Sequence, residues 1–191
     1  MSLKLSFALA LGLASASLAA QTSTWSIDPA HSSVEFQVRH LGVSNVRGTI
    51  NGVNGTVLLD EKDITKSKVN ATMESATVST NNDARDKHLK SPDFFDVTKY
   101  PQLTFKSTSL AKVDGKLKLV GDLTLDGVTK PVTLDVDGPS APQKGMNGKT
   151  VSGFSATGTL NRSDFNFGSK FGPPMLSDDV KFTIDVEIDK Q

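Results

Sequence analysis

Apolar and polar residues alternate along most of this chain, and a period of two is the signature of strands with one buried face. Val34-Glu35-Phe36-Gln37-Val38-Arg39 puts Val34, Phe36 and Val38 on one side. Val69-Asn70-Ala71-Thr72-Met73 and Val132-Thr133-Leu134-Asp135-Val136 repeat the pattern. From Leu117 to Leu125 the odd positions are apolar or glycine throughout. The clearest run is the last: Val180, Phe182, Ile184, Val186 and Ile188 alternate with polar partners almost to the C-terminus.

Turn residues punctuate these runs. Asp114-Gly115 and Asp126-Gly127 supply the positive φ angles of tight hairpins, so residues 103–137 are predicted to form a three-stranded antiparallel meander. Gly48, Gly52, Gly55, Gly153 and Gly158 fall within other strand-like stretches, where glycine is expected to mark bulges or tight bends. Strong curvature of that kind favours closure into a barrel over a flat sandwich. Two stretches lack alternation. Thr80–Leu89 offers an asparagine cap and predicts a short helix; Ser91-Pro92-Asp93-Phe94-Phe95, with a serine cap and proline in the first helical position, predicts another. Gly138–Lys149, rich in Pro, Gly and Lys, reads as an exposed loop.

Composition narrows the class. Residues 1–20 begin with one charge, Lys4, continue with the apolar run Leu5–Leu13 and end in small residues, the order of a secretory signal peptide. That apolar run is well short of the ~20 residues of a spanning helix. Residues 21–191 then form one domain, expected in the periplasm. Its 20 basic and 21 acidic residues give a net charge of −1, which favours neither nucleic acid nor an electrostatic membrane patch. No stable membrane insertion is expected. The chain has no cysteine, which excludes disulfides, thiolate metal sites and a lipid-modified N-terminal cysteine.

Catalytic signals are sparse. His31, His40 and His88 show no paired ligand spacing such as His-x-x-x-His, so no metal is expected. There is no Gly-x-Ser-x-Gly elbow and no thiol nucleophile, so no catalytic residue is assigned and the chain is read as a non-enzyme. A pair of carboxylates meeting in the fold is the arrangement that sequence leaves open. The aromatic inventory is more telling: residues 21–191 hold nine Phe against one Trp and one Tyr. Phe94, Phe95, Phe165, Phe167 and Phe171, with Met175, cluster near strand ends and loops. An ordinary core and the wall of an apolar cavity both fit such a cluster.

Particular segments carry a family resemblance. Trp25-Ser26-Ile27-Asp28-Pro29-Ala30-His31-Ser32-Ser33-Val34-Glu35-Phe36, followed by His40, resembles the start of YceI-like proteins. The likeness continues through Arg85-Asp86-Lys87-His88-Leu89, Asp93-Phe94-Phe95-Asp96-Val97, Tyr100-Pro101 and the stretch Gly121–Val132. It closes with Asn161-Arg162-Ser163-Asp164-Phe165 and Asp178-Asp179-Val180. Asn166 stands where that family usually has glycine, and Asn tolerates left-handed backbone better than most residues.

The resemblance implies an all-β fold: an eight-stranded antiparallel, lipocalin-like barrel with one or two short helices, often dimeric, enclosing a polyisoprenoid. The ligand would be a quinone or polyprenyl phosphate on a long tail, with no other cofactor required. Phe36, Val38, Met73, Phe105, Leu119, Phe154 and Phe182 are then expected to line the cavity, together with Phe94, Phe95, Phe165, Phe167, Phe171 and Met175. His40, Arg85, Asp86, His88, Arg162 and Asp164 are expected at the head group. Two other readings stand beside this carrier: an enzyme acting on an isoprenoid head group through Arg85, Asp86 and His88, and a ligand-free structural β-domain. The last requires a filled interior.

Overall fold

The structure, a computed structural model, describes residues 22–146 and 148–191; the segment read as a signal peptide lies outside them. Eleven strands follow in chain order: β1 (Thr22–Ile27), β2 (Ser33–His40), β3 (Ser44–Ile50), β4 (Asn54–Asp60), β5 (Lys68–Glu74), β6 (Gln102–Val113), β7 (Lys116–Leu125), β8 (Val128–Asp137), β9 (Gln143–Lys144), β10 (Thr150–Asn161) and β11 (Leu176–Lys190). One α-helix, α1 (Asp83–Leu89), interrupts them.

Eight strands close a ring in the order β11-β1-β4-β5-β6-β7-β8-β10, and the β10–β11 pairing seals it. All pairings are antiparallel. The fold is therefore the eight-stranded barrel expected. The long β11 makes this possible: β2 pairs with its first part (His40↔Leu176 to Ser33↔Asp185) and β1 with its end (Ile27↔Ile188, Trp25↔Lys190). β1 and β2 thus stack one above the other along one edge, and β3 extends the wall beyond β2. Closure leaves the ring no unpaired edge on which chains could aggregate.

The meander is β6–β7–β8, joined by the two Asp-Gly turns; Asp114 and Gly115 have φ of +50° and +77°, Asp126 and Gly127 +49° and +76°. Both central residues at positive φ match a tight turn to the strand twist. Among its described residues, the loop at Gly138–Lys149 holds only the two-residue β9. Asn82 caps α1, its side chain accepting from Arg85 N–H at 3.0 Å. Asn166 ends the 3-10 turn Arg162–Phe165 in left-handed geometry, φ +55°, a conformation that Asn tolerates better than most residues.

Two local expectations are corrected. Ser91–Phe95 is a chain of turns, not a helix: Ser91 O accepts from both Phe94 N–H and Asp96 N–H at 3.0 Å, and Asp96 has φ +40°. Consecutive helical residues point about 100° apart, whereas here the neighbours Phe94 and Phe95 are both buried, at 6% and 7% exposure. Of the glycines expected at bulges or tight bends, Gly52 fits, connecting β3 to β4 at φ +68°. Gly48, Gly55, Gly153 and Gly158 mark no bulge: register breaks fall between Ser107 and Ser109 and between Leu176 and Val180, while the β2–β3, β4–β5 and β10–β11 ladders run unbroken past them.

The β7–β8 turn contains a buried liability. Asp126 Oδ1 has no hydrogen-bond partner, and burial together with nearby Asp96 holds its carboxyl above the ordinary aspartate range. A raised acid pKa means that the ionised form is disfavoured in the folded state, so the penalty is present at neutral pH and relieved as pH falls through the raised value. Asp126→Asn keeps a side chain that tolerates positive φ. It is expected to raise the thermal midpoint at pH 7, with the gain shrinking in acid; an unchanged midpoint at pH 7 would contradict this.

Candidate ligand-binding tunnel

The inward face of every barrel strand is apolar, yet the interior is not filled. A cavity of about 520 Å³ runs along the axis, within the roughly 300–1,000 Å³ usual for ligand sites. Its deep part is walled by Ile64, Val69, Leu110, Leu117, Val136 and Phe154. Trp25, Leu59 and Ile188, all buried and outside the lining, pack as a floor. The opposite end, where α1, the β2–β3 hairpin and the β10–β11 loop converge, is open. There the lining residues Arg85, His88 and Met175 are exposed to solvent.

A barrel of eight strands is narrow enough for side chains to fill, so the hollow needs a cause. Three glycines supply one. Phe36 lies opposite Gly48 and Phe182 opposite Gly158 in register, and Phe36 and Phe182 are themselves paired, giving the row Gly48–Phe36–Phe182–Gly158 across four strands. A Cβ on Gly48 would sit 2.4 Å from the Phe36 ring, one on Gly158 2.5 Å from the Phe182 ring, and one on Gly121 2.3 Å from the Phe105 ring. Each ring lies down against the wall over a glycine instead of standing up into the bore.

Aromatic residues also narrow the open end. Phe94 stacks on Phe171 (5.2 Å between centroids, 7° between planes), and His88 meets both edge-on at 5.1 and 5.3 Å. Phe167 packs against Phe94 and Phe95. The cluster ties the segment after α1 to the β10–β11 loop, reinforced by Asp93, which takes Lys170 Nζ at 2.5 Å and faces His88 Nε2 at 3.2 Å. Lys170 first, then His88, hold the Asp93 carboxyl below its ordinary range.

Of the residues expected at the cavity, Phe36, Val38, Met73, Phe94, Phe95, Phe105, Leu119, Phe154, Phe167, Phe171, Met175 and Phe182 line it. Phe165 does not: it is 2% exposed and anchors its 3-10 turn outside the lining. Of the residues expected at a head group, His40, Arg85, His88 and Arg162 reach the lining, whereas Asp86 and Asp164 do not. Asp86 is turned away to Thr80, accepting from its N–H at 2.8 Å and from its hydroxyl. Burial pushes the Asp86 carboxyl up, and the Thr80 bonds and Arg85 charge outweigh it to hold it below its ordinary range. Asp164, on the solvent side of the turn that buries Arg162, is exposed.

Arg162 requires a different role from the one expected. It is 4% exposed and donates from Nε to Ser177 O, from Nη1 to Phe167 O and Gly168 O, and from Nη2 to Phe171 O and Leu176 O. Arginine has five N–H donors, and all five are used on carbonyls of the β10–β11 loop and the start of β11. It builds the rim and has no donor left for a ligand. Arg85 is less committed: Nε bonds the Thr80 hydroxyl at 2.7 Å and Nη2 the Thr80 carbonyl at 2.9 Å, leaving Nη1 free. The His40 backbone carbonyl accepts from Val43 N–H at 2.9 Å, while its imidazole, which reaches the lining, makes no hydrogen bond among the described residues.

One polar cluster lies outside the tunnel. Asp28, His31 and Glu187 bring their donor atoms within 4.8 Å of one another, with His31 Nδ1 2.7 Å from Asp28 Oδ2 and 3.8 Å from Glu187 Oε1. Spacing rules missed it because Glu187 comes from the far end of the sequence. The Asp28 bond first, then the Asp28 and Glu187 charges, raise the His31 pKa; the His31 bond chiefly lowers that of Asp28. The contribution of His31 is thus complete below the ordinary histidine value of 6.5 and is lost as pH rises through the raised value. That of Asp28 is lost as acid reaches its lowered value. His31→Ala should flatten the stability-versus-pH curve as pH rises above 6.5; an unchanged slope there would contradict the assignment.

Geometry therefore defines a class, an eight-stranded antiparallel barrel with an apolar axial tunnel open at one end. Residues 25–188 match the YceI-like domain model, and the chain belongs to this family. It is 45% identical to the YceI protein of Shigella flexneri over 157 residues, 82% of this chain and 81% of the relative. The crystal structure of a Campylobacter jejuni YceI protein superposes with a TM-score of 0.71 at 37% identity, covering 80% of this chain and 90% of the other. A polyisoprenoid-binding domain from Saccharophagus degradans shares the fold (TM-score 0.62, 14% identity, 87% and 98% covered).

Proposed function

We propose that this protein is a periplasmic carrier that encloses a polyisoprenoid lipid, tail inward, and catalyses no reaction on it. The observation that supports the reading is the tunnel itself: about 520 Å³, apolar from the deep wall to the aromatic mouth, and kept hollow by rings lying over glycine. A filled core would have been the outcome for a structural β-domain. Each methylene-sized unit that leaves water gains about 0.8 kcal/mol, so a long tail binds without directed contacts. Family membership and the polyisoprenoid-binding neighbour of the same fold point the same way.

The polar groups at the mouth suit a head group. Arg85, through its uncommitted Nη1, and His40 are the residues we assign to it; Arg162 shapes the rim that holds them. Uptake of ubiquinone and of polyprenyl phosphate, each followed by mass spectrometry of the protein, tests the carrier. Both should bind. Arg85→Met should weaken the phosphate at least tenfold and the quinone by less than threefold, with thermal stability checked in parallel. No uptake of either lipid would sink the proposal, and turnover of a bound lipid would favour the enzyme reading.

A further inference from the structure

The tip of the β2–β3 hairpin carries apolar side chains into solvent beside the tunnel mouth. Leu41 is 53% exposed and Val43 77%, while Met175, across from them, is 46% exposed and also lines the tunnel. Single exposed apolar residues are ordinary. Here they adjoin: Leu41 N–H donates to Met175 O at 3.0 Å, so the outer patch is continuous with the tunnel wall. The other large exposed apolar residues, Val113 and Met146, lie toward the closed end.

The tip is also held in place. Leu41 and Gly42 take φ of +51° and +68°, Val43 N–H donates to His40 O at 2.9 Å, and the exposed Arg39 clamps the turn, Nε to Gly42 O at 3.1 Å and Nη1 to Asn45 Oδ1 at 3.2 Å. Left-handed backbone at a leucine costs roughly 1–2 kcal/mol. This conformation holds Leu41 out in solvent beside an apolar opening, and it puts the cation of Arg39 beside the apolar tip.

We propose that this rim docks on a lipid bilayer, with Leu41 and Val43 entering the boundary between head groups and acyl chains and Arg39 meeting lipid phosphates. The inference rests on the carrier reading. A tail that crosses water loses about 0.8 kcal/mol per methylene-sized unit, whereas a patch continuous with the tunnel lets it pass from bilayer to bore without exposure. Two inserted side chains give weak, reversible attachment, as a shuttle requires.

The test uses the chain from Gln21 onward, which contains all eleven strands, and vesicles of phosphatidylethanolamine and phosphatidylglycerol loaded with ubiquinone. The Leu41→Ser, Val43→Ser double variant should extract ubiquinone from vesicles at least tenfold more slowly than the parent chain. It should reach the same occupancy when ubiquinone is supplied from dilute detergent. A Val43→Trp variant should blue-shift its emission on adding vesicles, since Trp25 is already buried. Equal extraction rates, or no blue shift, would overturn the docking proposal. So would a blue shift that needs no vesicles and grows with protein concentration, which would assign the tip to contact with a second copy. Failure to take up ubiquinone by either route, with the vesicle-dependent shift intact, would instead overturn the carrier reading.

Discussion

Gly158→Val is expected to cost this barrel most of its affinity for a long isoprenoid while leaving its affinity for a short one nearly intact. The three atoms nearest a Cβ at this position all belong to side chains: the Phe182 ring at 2.5 and 2.9 Å and Leu134 Cδ2 at 3.2 Å. The ring can therefore give way, and the space into which it can turn is the bore. At Gly48 and Gly121 an added Cβ would also press within 2.7 Å of the carbonyls of Ser79 and Lys106, so those changes would strain the backbone itself. An upright Phe182 excludes about five methylene-sized units of tail at roughly 0.8 kcal/mol each, about 4 kcal/mol or three orders of magnitude in Kd. Overpacking costs a folded core about 1–3 kcal/mol, so the variant should remain folded. Titration with polyprenols of increasing length checks the claim. A uniform loss across lengths, or none, would mean that the flattened rings do not set the bore.

The largest loss of stability is expected at Arg162. Arg162→Met removes a buried cation and takes its donors from the carbonyls of Phe167, Phe171, Leu176 and Ser177, while Gly168 O keeps the Phe171 N–H. Unsatisfied buried polar groups cost about 1–3 kcal/mol each, with partial relief where water can reach them. A net loss of about 4 kcal/mol in urea unfolding is expected, a large part of the stability of a domain this size. Lysine has three donors on a flexible stem and cannot reproduce the planar fork, so Arg162→Lys should recover less than half. Because the loop from Phe167 to Leu176 forms one side of the mouth, lipid uptake should fall with stability. A loss below 1 kcal/mol would show that the five bonds do not organise the loop.

Alternation along the chain was a sound guide to the barrel because each strand has one face on the tunnel and one on solvent, and the two Asp-Gly turns marked the meander because only such residues take two positive φ angles cheaply. Most of the lining was legible for the same reason. The role of Gly48 and Gly158 is hidden from local pattern: a glycine opposite a phenylalanine becomes visible only when register pairs Gly158 with Phe182 and Gly48 with Phe36. Asp86, Asp164 and Arg162 were grouped with Arg85 and His88 because polarity in an irregular segment says nothing about direction. The fold turned Asp86 to Thr80, Asp164 to solvent, and Arg162 onto carbonyls from as far away as Ser177. Phe165 resembles its neighbour Phe167 in sequence, yet Phe165 ends the 3-10 turn as its packed anchor, while Phe167, beyond the left-handed Asn166, reaches the wall. Such separations depend on long-range pairing, which no local pattern carries.

Whether the hollow holds a lipid is read by organic extraction of the purified protein followed by mass spectrometry against a mock extract. A long-chain isoprenoid is expected in near-stoichiometric amount, reduced sharply in the Gly158→Val variant. An extract empty of isoprenoid, from protein that also takes up none when offered, would contradict the carrier reading.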